Sequence, residues 1–318
     1  MERILEIENL SVHFPINIGT VRAVDDVSWE LKEGEVMGLV GESGCGKSTL
    51  GFSILRLLRP PGRIVRGRIL YKGRDIVLME EREILDLRGK RIAMIFQDPL
   101  TSLNPLFRID QHFVETLFAH EKGLTRKEAY HRAEEMLESL GISPERLTEY
   151  PHQLSGGMRQ RIMIGLALIL RPDLLIADEP TTALDVIVEA QFLDLLADLQ
   201  KRYHLTIILI THNLGNVAQL ADRITVMYGG SIAEVAEAGG IFESPLHPYT
   251  QGLLASIPNI KLDQPTLKTM PGSPPDLVDP PQGCVFHPRC PNAMEICRAR
   301  RPATFHRDGH IVSCWLYR

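Results

Sequence analysis

The nine residues Gly41 to Thr49, "GESGCGKST", decide how this chain is read. Gly41, Gly46, Lys47 and Ser48 fit the phosphate-loop pattern, with a short apolar strand-like run, "EVMGLV" (Glu35 to Val40), before it and a run of helical spacing, "STLGFSILRLL", after it. Glycines let the backbone of Gly41, Glu42, Ser43, Gly44, Cys45 and Gly46 come close enough for its N–H groups to surround phosphate oxygens. The helix that follows, opening through Ser48 and Thr49, adds partial positive charge. Lys47 is expected to reach the β- and γ-phosphates and Ser48 to ligate magnesium. Cys45 stands where a small side chain suffices, and this reading outweighs that of a redox-sensing thiol.

A complementary acid pair appears in "LLIADEP" (Leu174 to Pro180). The buried-type strand Leu174 to Ala177 carries Asp178 to its carboxyl end, where it is expected to hold magnesium through water, and Glu179 beside it to polarise an attacking water. A second glycine-rich turn, "LSGGMRQR" (Leu154 to Arg161), follows the first by more than a hundred residues. Ser155, Gly156 and Gly157 precede a strongly apolar helix and so form another helix start able to bind an anion.

The remaining texture is that of an α/β protein. Ile4 to Phe14 and Val21 to Leu31 alternate like half-buried antiparallel strands, whereas Ile92 to Phe96, Leu174 to Ala177, Ile207 to Ile210 and Ile224 to Met227 are short apolar runs separated by helical segments, as in a mostly parallel sheet wrapped by helices. Between about 107 and 171 the pattern is helical, and Thr125 with Glu128 forms a capping-box signature for "TRKEAYHRAEEMLESLG". No internal repeat is found, so one cassette is expected.

Composition excludes several classes. In 318 residues, 44% hydrophobic and 24% charged, the formal charge is −5, so no global basic field holds a nucleic acid, and no nucleic-acid partner is expected. The first residues, "MERILEIENL", read as a strand rather than an export signal. The most apolar stretch, Ile162 to Leu170, is too short to span a bilayer, so membrane association is expected to come through a partner.

At this point the residues resemble a known family, the ATP-binding subunits of ABC transporters. The resemblance covers roughly residues 3 to 258. Phe14 resembles the aromatic that stacks on adenine, Gln97 in "IFQDP" the Q-loop glutamine, "LSGGMRQ" the signature, Asp185 in "TTALD" the D-loop, and His212 in "LITHN" the switch histidine. What this implies is an ABC-type P-loop ATPase with a RecA-like core, an antiparallel β subdomain, a helical signature subdomain (about 107–171) and a small cysteine-rich C-terminal extension. ATP and Mg2+ are the implied cofactors. Gln97 would join Ser48 and Asp178 at the magnesium ion, and Glu179, Gln97 and His212 would be the catalytic residues. In the family the signature turn of one subunit closes over the γ-phosphate held by the other, so a second ATPase subunit, paralogous or identical, is implied. Two transmembrane permeases and, indirectly, an extracytoplasmic substrate-binding protein complete the expected assembly, with this chain peripheral on the cytoplasmic face of the membrane. Many relatives carry aspartate after the switch histidine, whereas Asn213 stands here.

The C-terminal part is distinct. Pro258, Pro265, Pro271, Pro274, Pro275, Pro280 and Pro281 mark an irregular linker, and Cys284, Cys290, Cys297 and Cys314 crowd the last 35 residues. Their spacings lack the close pairs of common zinc sites, while four thiolates suit an iron–sulfur cluster, leaving cluster, zinc and unligated thiols open from the residues alone. "HPYTQGLLASIP" with "GCVFHPRCPNAMEIC" resembles the C-terminal region of the oligopeptide and dipeptide importer subfamily, which points to [4Fe-4S]. His287, His306 and His310 are substitute ligands at lower weight than packing or solvated histidines. The expected domains are 1–258, the ATPase, and 259–318, the extension. A cluster there is expected to be structural and to lie away from ATP, so that Cys290→Ser leaves nucleotide affinity nearly intact. The expected function is to power import of di- or oligopeptides; nickel or oligosaccharide cargo is the alternative. A soluble ABC protein acting on ribosomes or nucleic acid is disfavoured by the missing tandem cassette and basic surface.

Overall fold

The computed structural model describes residues 2–97, 103–182, 185–256 and 270–318. Residues 98–102 of the glutamine loop, Ala183 and Leu184 of "TTALD", Pro258, Pro265 and the expected boundary at 258/259 lie outside the described residues. The chain forms two compact units, Met1–Met79 with Leu209–Arg318, and Glu80–Ile208.

The first unit opens with β1 (Arg3–Ile16) and β2 (Gly19–Lys32), an antiparallel pair with Leu5 opposite Leu31, Ile7 opposite Trp29 and Val12 opposite Val24. Their apolar face is buried, as the alternation requires. The fully buried β3 (Val36–Val40) runs into the glycine loop and α1 (Lys47–Ile54). Then β4 (Arg63–Tyr71) pairs antiparallel with β1, and the two-residue β5 (Arg74–Asp75) completes the sheet order β2-β1-β4-β5. The alternation does not announce β4, because its arginines break the apolar pattern. They lie on the solvent face, where Arg68 pairs with Glu8 at 2.5 Å and Arg66 with Asp26 at 3.8 Å.

The second unit contains α2 (Glu81–Leu87), β6 (Ile92–Ile95), α3 (Ile109–His120), α4 (Arg126–Ser139), α5 (Gly156–Leu168), β7 (Leu174–Asp178) and α6 (Val186–Tyr203). β6 and β7 are parallel, Ile92 facing Leu174 and Ile95 facing Ala177. Thr125 caps α4 as read, accepting from the Glu128 N–H at 3.3 Å while the Glu128 carboxylate accepts from the Thr125 N–H at 2.8 Å. Helices α3, α4 and α5 fill the expected helical insert. They pack closely at Gly165, where a Cβ would come within 2.7 Å of Leu140 and 3.2 Å of Phe113. β8 (Thr206–Thr211) begins in this unit and ends in the first.

Back in the first unit, α7 (Leu214–Leu220) leads to β9 (Arg223–Tyr228), parallel to β3, and to β10 (Ser231–Glu237), antiparallel to β9. The chain continues through α8 (Ala238–Glu243), α9 (Pro248–Ala255) and α10 (Glu295–Ala299) to β11 (Phe305–Arg307) and β12 (His310–Val312). β12 pairs with β10 and β11 with β12, both antiparallel, so the parallel strands read from sequence are extended by an antiparallel run that was not. No helix among the described residues is long and apolar enough to cross a membrane.

The described part of the C-terminal extension packs onto the rest of the first unit. Phe286 enters the cluster formed by Val40, Leu214, Val217, Ile224, Val226, Tyr228 and Tyr249, and Cys284 and Cys290 pack against the same cluster. The rings of Tyr228, Tyr249 and Phe286 lie 4.5 to 5.5 Å apart by centroid. Beneath them the fully buried Glu234 accepts from the N–H groups of Leu246 and His247 at 2.8 and 2.9 Å and bonds His310 Nδ1 at 2.7 Å.

His247 caps α9, its Nδ1 accepting from the Tyr249 N–H at 3.0 Å. Burial pushes its imidazole down to about 4, opposed by a hydrogen bond to the Ser313 backbone. The unfolded chain takes up this proton near pH 6.5, whereas the folded chain does not. Stability held by the neutral ring is therefore present above pH 6.5 and lost as the pH falls towards 4, by about 2 kcal/mol at pH 5. Urea titrations at pH 7 and pH 5 are expected to show this loss in the wild type and a smaller one in His247→Asn; equal losses in both would remove His247 as the cause.

Candidate functional site

The glycine loop is built as its residue types require. Gly46, the N-cap of α1, has φ 105°, and a Cβ there would collide with the Ala23 carbonyl; at Gly41 it would meet the Met227 carbonyl and Cys45 Sγ. Lys47 is buried, and its Nζ donates to the carbonyls of Gly41 at 2.8 Å and Glu42 at 3.1 Å. Its ammonium thus sits inside the turn, the arrangement expected of a lysine that meets phosphate oxygens. Burial pushes the Cys45 thiol up, with the Lys47 charge acting against it, so the sulfur is a packed thiol and not a reactive one. Phe14 is half-buried on β1 with its ring over Gly62, where a Cβ would strike it.

Two residues missed by the sequence reading hold this loop. Tyr249 Oη accepts from the Glu42 N–H at 2.9 Å. Arg289 grips the Glu42 carboxylate with both ends of its guanidinium, at 2.7 and 3.0 Å. Its Nε donates to the Pro271 carbonyl at 2.9 Å, and its guanidinium lies 5.7 Å from the Tyr228 ring centroid. Nothing in the spacing of the chain signals a pairing across 247 positions. Arg289, next to Cys290, thus brings the C-terminal extension into contact with the phosphate loop.

The acid pair sits at the end of β7 as read. Asp178 is buried. Glu179, also buried, takes a left-handed φ of 44°, a costly conformation for a residue with a Cβ and one that clusters at working sites. Its Oε2 accepts from Gln97 Nε2 at 3.0 Å and from Thr182 Oγ1 at 3.3 Å. The structure therefore brings Gln97 and Glu179 together. Gln160, another residue not singled out beforehand, donates to the Pro180 carbonyl at 2.6 Å and braces the same turn from α5.

The second glycine turn opens α5. Ser155 is its N-cap, accepting from the Met158 N–H at 3.3 Å, and a Cβ on Gly156 would meet nothing within 4 Å. Ser155, Gly156 and Gly157 line a cavity of about 710 Å³ together with Asp185 and Val188. Asp185 caps α6, its Oδ1 accepting from the N–H groups of Ile187 and Val188 at 3.1 and 3.0 Å. Val186 and Ile187, which follow it, are 80% and 71% exposed, two large apolar side chains side by side at the start of α6. His212 is exposed at the end of β8, and Asn213 caps α7 by accepting from the Gly215 N–H at 2.9 Å, a task an aspartate performs equally.

Among the described residues no group of three or more His, Cys, Asp or Glu side chains is placed to hold a metal ion, so neither a formed [4Fe-4S] site nor its zinc alternative is supported. All five cysteines are free thiols. Burial pushes the Cys284 and Cys290 thiols up and the Cys314 thiol up to about 11. Of the substitute histidines, His310 is engaged by Glu234, His287 Nδ1 bonds the Cys284 carbonyl at 2.9 Å, and His306 is exposed.

Comparison with known proteins agrees with this geometry. The ABC transporter family matches residues 24–182, and the C-terminal region of oligopeptide/dipeptide transporters matches residues 233–297. The chain is 49% identical to the dipeptide transport ATP-binding protein DppD of Bacillus subtilis, over 99% of this chain and 95% of that one, and 48% identical to the oligopeptide transport ATP-binding protein OppD of the same organism, over 99% and 89%. A solved dimeric ATP-binding cassette in a post-hydrolysis state with ADP and Pi is 25% identical, with a TM-score of 0.65 over 74% of this chain and 98% of that one. With the phosphate loop, the strand-end acid pair and the second glycine turn all in place, the chain belongs to the ABC transporter family and carries that family's oligopeptide/dipeptide transporter C-terminal region.

Proposed function

We propose that this chain is the ATP-binding and ATP-hydrolysing subunit that powers an ABC importer of di- and oligopeptides. The observation that carries the ATPase reading is the left-handed Glu179, buried at the end of β7 with its carboxylate aimed by Gln97 and Thr182. The peptide cargo rests on the relatives, which are peptide transport ATP-binding proteins over nearly the full length. The division into an ATPase domain (1–258) and an extension (259–318), and peripheral attachment at the cytoplasmic face through two permeases, belong to the same proposal.

The roles follow from the side chains. Lys47 and the loop amides from Gly41 to Thr49 take the phosphates, and Phe14 the adenine. Ser48, Asp178 and Gln97 would hold the magnesium ion, which neutralises charge on the phosphate oxygens when bound. Glu179 orients the attacking water and accepts its proton, while His212 steadies the γ-phosphate. Ser155, Gly156 and Gly157 present a helix start to the γ-phosphate of ATP on a second subunit, with Asp185 at the same seam. The exposed Val186 and Ile187 support this pairing, since such a surface calls for a partner.

For Cys284, Cys290, Cys297 and Cys314 the finer proposal is ligation of a [4Fe-4S] cluster. It is supported by the donor set, four free thiols in the last 35 residues of which Cys284 and Cys290 pack against the same aromatic cluster. Anaerobically purified protein is expected to carry about four iron and four sulfide per chain with broad visible absorbance. Zinc alone, or no metal, would overturn it.

Glu179→Gln is expected to keep ATP, to accumulate as a closed dimer in light scattering, and to lose turnover by about 100-fold or more. Turnover at the wild-type rate would remove Glu179 from its role. In cells lacking this chain, wild-type protein is expected to restore dipeptide or oligopeptide uptake and Glu179→Gln is not; restoration of nickel uptake alone would sink the peptide reading.

A further inference from the structure

We propose that Arg289, in the C-terminal extension, is a positioning residue of the ATP site, setting nucleotide affinity by neutralising and fixing Glu42 in the phosphate loop. The proposal rests on the reading of Gly41 to Thr49 as an ATP loop and adds to it a part that the loop motif does not contain.

Glu42 is held at every polar group it has. Its N–H goes to Tyr249 Oη at 2.9 Å, its carbonyl accepts from Lys47 Nζ at 3.1 Å, and its carboxylate lies in the fork of Arg289 at 2.7 and 3.0 Å. The carbonyl is held from within the loop, by Lys47 and by the Cys45 N–H at 3.3 Å, whereas Tyr249 and Arg289 come from the last quarter of the chain. The pair is sheltered, with the Arg289 side chain 6% and the Glu42 side chain 25% exposed, and the geometry is bidentate, the strong form of the contact. The guanidinium has no slack, because its Nε is bound to the Pro271 carbonyl and its face lies against Tyr228.

A carboxylate in this loop carries a cost that other loop residues do not. Glu42 shares its peptide unit with the contact to Lys47 Nζ, so an unpaired negative charge there would oppose the anionic phosphates that the loop gathers. It would also offer Lys47 a competing partner. Arg289 removes both effects at once: it cancels the charge and occupies both carboxylate oxygens, while Tyr249 fixes the adjoining N–H. The extension thereby acts on nucleotide binding without touching nucleotide.

If the Arg289 contact merely glued the extension to the fold, its loss would lower stability and would not be relieved by changing Glu42. The charge argument makes the opposite forecast. ATP affinity of the full-length chain, measured by calorimetric titration with Mg·ATP alongside thermal melting, is expected to weaken about tenfold in Arg289→Gln. Arg289→Lys, keeping the charge but not the fork, is expected to fall between. The double variant Arg289→Gln with Glu42→Gln is expected to recover most of the affinity lost by Arg289→Gln, and in steady state the loss should appear in KM for ATP more than in kcat. Unchanged affinity in a folded Arg289→Gln, or a loss that the second substitution does not relieve, overturns the positioning role and leaves the ATP loop standing. A wild-type chain that binds no ATP overturns both.

Discussion

A buried ammonium is the constraint around which the first unit is arranged. Lys47 cannot sit inside a protein without acceptors, and the turn from Gly41 to Gly46 supplies them from its own carbonyls. That turn exists only because Gly46 takes a positive φ against the Ala23 carbonyl and Gly41 fits under Met227. The strand before it, β3, is buried along its whole length, so the loop emerges at a fixed place from a rigid support. The motif is therefore a way of storing positive charge beside backbone N–H groups, ready for an anion.

The second unit solves a related problem for negative charge. Asp178 and Glu179 are buried side by side at the end of β7, and the backbone turns into a left-handed conformation to keep the second carboxylate aimed. Gln97 and Thr182 hold that carboxylate, while Gln160 grips the following carbonyl from the helix that the signature turn begins. Signature and acid pair are thus mechanically joined within one unit. Ser155–Gly157 and the turn after Glu179 are linked by the first turns of one helix.

Much of this was legible in the residues. The phosphate loop, the acid pair, the capped helix from Thr125 and each apolar strand were readable because their signals are local: a glycine pattern, a three-residue spacing, a run of buried side chains. β4 escaped because Arg63, Arg66 and Arg68 are spread along it, β10 because Glu234 interrupts its apolar residues, and β11 and β12 because they are three residues each. Arg289 and Tyr249 were beyond reach for a different reason: each meets Glu42 from more than 200 positions away, and an arginine beside a cysteine looks like any other surface charge. The packing around the cysteines was not legible either: Cys284 and Cys290 lie against the aromatic cluster of Tyr228, Tyr249 and Phe286, a contact that no spacing in the chain announces.

The pairing of β12 with β10 has a consequence for how such chains can be recombined. Through it the extension closes the side of β10 with Glu234 opposite Val312 and Val235 opposite Ile311, and Ser313 donates to the Ala233 carbonyl. A cassette cut from its tail would bare a strand edge with unsatisfied amides next to an uncovered aromatic floor, the surface from which chains stack into aggregates. Tails of this kind are not portable modules to be trimmed or exchanged between cassettes, because the edge and its cover have to match.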